Sequence, residues 1–195
     1  ETKKPILIST GMSDFTEIKK TLEFLDSNNA SNQRLLFQCT TSYPTPSNKV
    51  GLNVLDDLKT KFKIDVGLSD HSGKIFPSIA AVTFGIKAIE AHIVFDKKMF
   101  GPDAVSSLTI NEFKQMVDGV RFIENCLKNP VDKNDLSDYV KIKEIFSKSL
   151  SANTNIKKGQ VISFDDLETK KPASKGILSR DFKKVIGKKT NKDLN

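Results

Sequence analysis

Two residue types that mark whole classes of protein are scarce in this chain. Among 195 residues there is no tryptophan, and the only cysteines, Cys39 and Cys126, match no metal-binding or redox spacing. We therefore expect reduced thiols in a cytoplasmic compartment rather than a disulfide framework. Long apolar runs are also missing, since none approaches the roughly 20 residues that span a bilayer, so we expect no membrane partner.

Positive charge is concentrated near the end of the chain. The net charge is +7, and residues 141–195 alone hold 14 lysines and arginines against 6 acidic residues. These lysines are scattered among turns, without an arginine cluster or interleaved aromatics. The pattern predicts a solvated basic surface, with attraction of an anionic small molecule as the second interpretation and no nucleic-acid partner.

Strand and helix signals alternate over residues 1–128. The predicted strands are residues 5–9, 35–39, 64–68 and 88–94. Apolar residues at helical spacing follow each strand, and two capping boxes, Asp14 with Glu17 and Thr109 with Glu112, mark helix starts. Four βα units predict an α/β domain with a parallel sheet, either doubly wound or half of an eight-stranded barrel. In both folds functional residues belong at the carboxyl ends of the strands.

The pattern changes after this domain. Residues 129–146 are charged and suit a linker, and residues 147–195 predict a second, small, β-rich domain. Its candidate strands are residues 147–152 and 160–163.

The two histidines, His71 and His92, each lie at or near the end of a predicted buried strand. Because neighbouring parallel strands lie roughly 4.8 Å apart, two such imidazoles could share one metal ion or one substrate. Two unrelated hydrogen-bonded histidines explain the positions equally well. Asp103, in the long loop after the strand of His92, adds a carboxylate, and this donor set suits Mn²⁺, Zn²⁺ or Fe²⁺.

Five ordered motifs resemble the sialic acid synthase family, which includes N-acetylneuraminate, legionaminate and pseudaminate synthases. They are Ser9-Thr10-Gly11-Met12, Gln38-Cys39-Thr40 with Tyr43-Pro44-Thr45-Pro46, Gly67-Leu68-Ser69-Asp70-His71, Ile89-Glu90-Ala91-His92 and Gly101-Pro102-Asp103. The tail, with Lys170-Lys171-Pro172, is similar to the family's antifreeze-like SAF (β-clip) domain.

The resemblance implies strands five to eight of a (β/α)8 barrel followed by a SAF domain. It implies condensation of phosphoenolpyruvate with an N-acylated mannosamine-type sugar, with Mn²⁺ as the usual ion, in a domain-swapped homodimer. By the same resemblance His71 and His92 hold the metal, Ser9 and Ser69 contact phosphoenolpyruvate, and Tyr43 and Asp103 contact the sugar. Asp103 is thereby grouped with the two histidines as catalytic.

Three positions depart from the family pattern. Thr41 stands where the family has a ligand-binding asparagine, and Lys171 where it has an arginine that reaches a neighbouring subunit's sugar site. Lysine keeps the charge without the bidentate fork. Ala91 stands where many members have a basic residue, so substrate preference stays open.

The resemblance begins at the fifth barrel strand. We therefore expect the chain to be a fragment, truncated at both ends and inactive alone. A non-catalytic binding or assembly module of the same fold is the alternative.

Overall fold

The computed structural model describes residues 4–28 and 33–194, and it divides into two compact units, residues 1–130 and 131–195. The first unit contains β1 (Ile6–Ser9), α1 (Phe15–Ser27), β2 (Arg34–Cys39), α2 (Leu52–Phe62), β3 (Asp65–Asp70), α3 (Phe76–Ala81), β4 (Ala88–Ala91), β5 (Ile93–Val94), β6 (Leu108–Thr109) and α4 (Ile110–Lys128). The second contains α5 (Val140–Phe146), β7 (Ser149–Ala152) and β8 (Leu167–Lys170). No helix in these described ranges is long and apolar enough to cross a membrane.

Strands β1 to β4 form a parallel sheet in chain order within the described residues. The register pairs Ser9 with Phe37, Cys39 with Ser69, and Ser69 with Glu90. Because every strand runs the same way, all four carboxyl ends lie along one edge of the sheet. This edge is the one at which the sequence predicts functional residues.

One face of the sheet packs against the helices. Its core consists of Ile18, Leu36, Leu55, Leu58, Val66, Leu68 and Ala81. Side chains alternate across a strand, so the neighbours of these strand residues point to the opposite face. We call that opposite face the inner face of the sheet. It carries Leu7, which is 62 % exposed, near the amino ends of the strands, and it carries Ser9, Ser69 and Glu90 closer to their carboxyl ends.

Both helix starts that the capping boxes predict are confirmed. Asp14 accepts hydrogen bonds from the amides of Thr16 and Glu17, and the Glu17 carboxylate accepts from the Asp14 amide. Thr109 and Glu112 make the same reciprocal pair at the start of α4. These bonds satisfy amide groups that have no partner inside the helix.

Three element boundaries differ from the sequence expectation. The predicted strand over residues 88–94 breaks at His92, because the residues after it leave β3 and pair with β6 instead. The helix expected over residues 76–86 tightens to a 3₁₀ turn after Ala81 and ends at Gly85, whose φ is +71°. In the second unit, residues 160–163 contribute only an isolated bridge, and the partner of β7 is β8.

Gly67 in β3 lies where the sheet has no room for a side chain. A Cβ there would lie 2.7 Å from the Ala88 carbonyl oxygen and 2.7 Å from the Phe37 ring. Because the carbonyl belongs to the neighbouring strand, Gly67→Ala is expected to push β4 away and lower the free energy of unfolding by about 1–3 kcal/mol. Urea denaturation measures this loss, and an unchanged midpoint would contradict the tight contact.

Candidate active site

The structure brings the two histidines together at the carboxyl edge of the sheet. The ring centroids of His71 and His92 lie 5.1 Å apart, with the planes at 89°. Tyr43, in the loop after β2, joins them with its ring centroid 4.3 Å from that of His71 and 6.0 Å from that of His92.

His71 is buried and held at two points. Its ring nitrogen Nδ1 lies 3.3 Å from the Thr40 carbonyl oxygen, and its own carbonyl accepts a hydrogen bond of 3.0 Å from the Thr45 amide. A carbonyl oxygen can only accept, so Nδ1 donates its proton to the Thr40 carbonyl. In this tautomer Nε2 carries no proton and can serve as a metal ligand or a base. The loop after β2 therefore sets the orientation of His71.

His92 stands at the break between β4 and β5. Its carbonyl accepts a hydrogen bond of 2.8 Å from the Leu108 amide, and this bond turns the chain from one sheet to the other. Its Nδ1 lies 3.8 Å from Oδ2 of Asp103, and the His92 side chain keeps 34 % of its surface exposed. Asp103 thus comes within ion-pair range of one histidine, on the loop where the sequence expects it.

The pKa of the Tyr43 phenol is raised above its usual value. Desolvation has the largest effect, and the nearby Cys39, Asp103 and Glu90 raise the pKa further. The phenol is therefore protonated at neutral pH and can donate a hydrogen bond to a ligand oxygen.

Glu90 is a site residue to which sequence reasoning gives no role. Its Oε1 accepts a hydrogen bond of 2.7 Å from the Ser69 hydroxyl. The signal was in the sequence, because Glu90 lies two residues before His92 as Ser69 lies two before His71, and period-two spacing puts each pair on one face. The Ser69 hydroxyl, expected to contact phosphoenolpyruvate, is thus already engaged by a carboxylate.

The remaining candidates divide between the two units. Ser9 is exposed at the end of β1, and its Oγ accepts a weak contact of 3.5 Å from the Gly11 amide. Thr41 is exposed in the loop after β2, with its Oγ1 2.7 Å from where a Gly11 Cβ would lie, so these two loops touch. Lys171 belongs to the second unit, where its Nζ lies 4.5 Å from the centre of the Phe146 ring.

The donor set fits an ion that keeps open positions. In the ranges 4–28 and 33–194, no group of three or more His, Cys, Asp or Glu side chains is arranged to hold a metal. A closed structural zinc site, with its four protein ligands, is therefore excluded for these residues. Two adjacent imidazoles fit an ion whose other positions belong to water or substrate.

Lys97 fastens the loop that carries Asp103. Its Nζ donates to the Gly73 carbonyl at 2.9 Å and to Glu112 at 2.8 Å. Partial burial raises the pKa of Glu112, but hydrogen bonds from Lys97 and Thr109 outweigh it and hold the pKa below its usual range.

Replacing Glu112 with glutamine removes the ion pair but keeps the capping box. Because the Lys97 and Glu112 side chains are both partly exposed, we expect the free energy of unfolding to fall by about 0.5–1 kcal/mol at pH 7. The native pKa is lowered, so this difference is complete above the usual glutamate pKa and disappears as pH falls through the native value. Thermal unfolding from pH 7 to 3 checks it, with the exposed pair Lys114–Asp118 tested by Asp118→Asn as control.

The first unit thus carries two imidazoles, a phenol and two carboxylates at the carboxyl ends of a parallel βα sheet, where βα barrels place their functional residues. The chain belongs to the NeuB family, whose model matches residues 1–132, and the SAF domain model matches residues 147–195. The resemblance to sialic acid synthases is thereby confirmed.

The relatives extend the match over almost the whole chain. A Campylobacter jejuni N,N'-diacetyllegionaminic acid synthase is 40 % identical over 97 % of this chain and 57 % of its own length. A pseudaminic acid synthase of the same organism is 37 % identical over 98 % of this chain and 55 % of its own. The chain therefore spans just over half the length of these relatives.

A solved structure shows the same architecture. The Bacillus subtilis spore coat polysaccharide biosynthesis protein spsE is 27 % identical, with a TM-score of 0.61 over 98 % of this chain and 58 % of that one. The parallel sheet of the first unit is a curled half-barrel, and a SAF domain follows it.

Proposed function

We propose that the protein containing this chain is a nonulosonic acid synthase. It condenses phosphoenolpyruvate with N-acetylmannosamine or a related N-acylated sugar. A carbon–carbon bond forms between the methylene carbon of phosphoenolpyruvate and the sugar aldehyde, water adds, and phosphate leaves. The observation that carries the proposal is the proximity of His71 and His92, whose ring centroids lie 5.1 Å apart. It occurs in a chain whose relatives are named as legionaminic and pseudaminic acid synthases.

In this proposal His71 and His92 hold a divalent ion, with Mn²⁺ favoured. When bound, the ion polarises the sugar aldehyde and acidifies water. The protonated Tyr43 donates to a sugar oxygen, and Asp103, beside His92, accepts from sugar hydroxyls. Glu90 accepts a proton from the water that adds, a role for which its carboxylate on the inner face suits it.

The other candidates bind the anionic substrate and complete the assembly. Ser9 and Thr41 supply neutral donors for carboxylate and phosphate oxygens, and Ser69 does the same once its hydroxyl leaves the hydrogen bond to Glu90. We propose that β1 to β4 are barrel strands five to eight. In a homodimer, Lys171 of one subunit then serves its partner's sugar site.

The test uses the protein that contains this chain, expressed at its full natural length. With Mn²⁺, phosphoenolpyruvate and a panel of N-acylated sugars, we expect sugar-dependent phosphate release and a new nine-carbon acid in the mass spectrum. The same protein carrying His71→Ala is expected to release no phosphate above background. Intact phosphoenolpyruvate with every sugar of the panel would contradict the proposal.

A further inference from the structure

Asp70 is a buried carboxylate with no part in the proposed reaction. It is the last residue of β3, directly before His71, and only 5 % of its surface is exposed. A buried charge is costly unless hydrogen bonds compensate it, so its partners indicate what the residue does. Burial raises the pKa of the Asp70 carboxyl, and hydrogen bonds from Ser72 oppose that rise.

Both side-chain oxygens of Asp70 accept hydrogen bonds from Ser72, the residue on the other side of His71. Oδ1 accepts from the Ser72 amide at 3.0 Å, and Oδ2 accepts from the Ser72 hydroxyl at 2.9 Å. The Ser72 Oγ in turn accepts from the Lys74 amide at 3.1 Å. The chain from Asp70 to Lys74 is thereby closed into a turn with the histidine inside it, the Asx-turn geometry that aspartate favours.

The same turn touches the segment that carries Asp103. Gly73 has φ +65°, and a Cβ there would lie 2.5 Å from the Val105 carbonyl oxygen, two residues after Asp103. The Gly73 carbonyl also accepts the hydrogen bond from Lys97, at the start of that loop. A shift of the turn would therefore move both His71 and the loop of Asp103.

We propose that Asp70 is a positioning residue, whose two hydrogen bonds to Ser72 fix His71 and the Asp103 segment in the arrangement of the active site. The hydrogen-bonding geometry of the carboxylate, rather than its charge, does this. The inference rests on the proposed function where it concerns metal binding, but the positioning itself is a property of the metal-free protein.

The chain offers a direct readout, because it contains only two histidines. In protein labelled with ¹³C at the histidine Cε1 position, the ring ¹H–¹³C spectrum has one signal for each histidine, and His92→Ala assigns the two. Asp70→Ala is expected to displace or broaden the His71 signal more than the His92 signal. Asp65→Asn, at the exposed start of the same strand, is the matched control and is expected to leave both signals in place.

Asp70→Asn separates geometry from charge. Asparagine keeps an acceptor for the Ser72 amide, so the His71 signal is expected close to its wild-type position. Displacement as large as in Asp70→Ala would show that the charge matters and would overturn the proposal. Ser72→Ala, which removes one of the two bonds, is expected to give a partial displacement and serves if Asp70→Ala fails to fold. A His71 signal unmoved in Asp70→Ala or in Ser72→Ala would also overturn it.

Mn²⁺ titration supplies the second readout. Asp70→Ala is expected to weaken Mn²⁺ binding about 10-fold or more, the size of effect seen when groups behind metal ligands are removed. Asp70→Asn is expected to bind within about 3-fold of wild type. Equal weakening by the two variants would contradict the proposal. If the wild type itself binds no Mn²⁺, the metal role in the proposed function fails, and the histidine spectra alone decide the positioning.

Discussion

Replacing either His71 or His92 with alanine is expected to weaken Mn²⁺ binding by more than about 100-fold, since each removes one of two imidazole ligands. The rings lie 5.1 Å apart, and each Nδ1 faces an oxygen, so the Nε2 atoms are the ones that would bind. Isothermal titration of each variant, or the electron paramagnetic resonance signal of unbound Mn²⁺, measures the loss.

Two comparisons make this test specific. Cys126 is an exposed thiol on α4, and Cys126→Ala should bind Mn²⁺ like the wild type. The double variant of His71 and His92 should bind Mn²⁺ no more weakly than the weaker-binding single variant, because losing either imidazole already removes the two-histidine site. Wild-type affinity in both single variants would refute a shared metal site.

The isolated chain is expected to self-associate. Strands β1 and β4 each pair with one neighbour in the described part of the sheet, which leaves two edges with unpaired backbone groups. The inner face adds Leu7, 62 % exposed, and a groove beside β4 and α4 is lined by the half-buried Ile89 and Val117. Sedimentation velocity should show concentration-dependent species heavier than the 21.7 kDa monomer.

A matched pair of variants tests the origin of this association. Leu7→Lys places a charge on the inner face and is expected to shift the distribution strongly toward monomer. Phe24→Lys places the same charge on α1, where the side chain is 65 % exposed, and is expected to change the distribution little. A clean monomer at all concentrations, or equal effects of the two variants, would contradict association through the sheet.

Local signals in the sequence predict much of the first unit. The capping boxes at Asp14 and Thr109 act within four residues, so helix starts follow from sequence alone. The order of the βα units predicts a parallel sheet, and a parallel sheet brings the ends of β3 and β4 together. The proximity of His71 and His92 could therefore be anticipated without coordinates.

Contacts between distant residues escape the same reasoning. The break of the fourth strand depends on the bond from the Leu108 amide to the His92 carbonyl, and no local pattern marks that bond. The pairing of Ser69 with Glu90 needs the register of β3 against β4, which a one-residue slip would abolish. In the second unit, the predicted strand over residues 160–163 was wrong because pairing with β7, not local propensity, selects β8.

The break at His92 makes the two imidazoles mechanically unequal. His71 is enclosed at 4 % exposure between a carbonyl and an amide contact, whereas His92 keeps a third of its side chain in solvent at a seam between two sheets. In the metal site proposed above, His71 would be the enclosed ligand and His92 the ligand with open space around its ring. If that proposal holds, we expect the site to bind Cd²⁺ and Co²⁺ as well as Mn²⁺, with His92 rather than His71 shifting to suit the ion, and titration of each ion measures this.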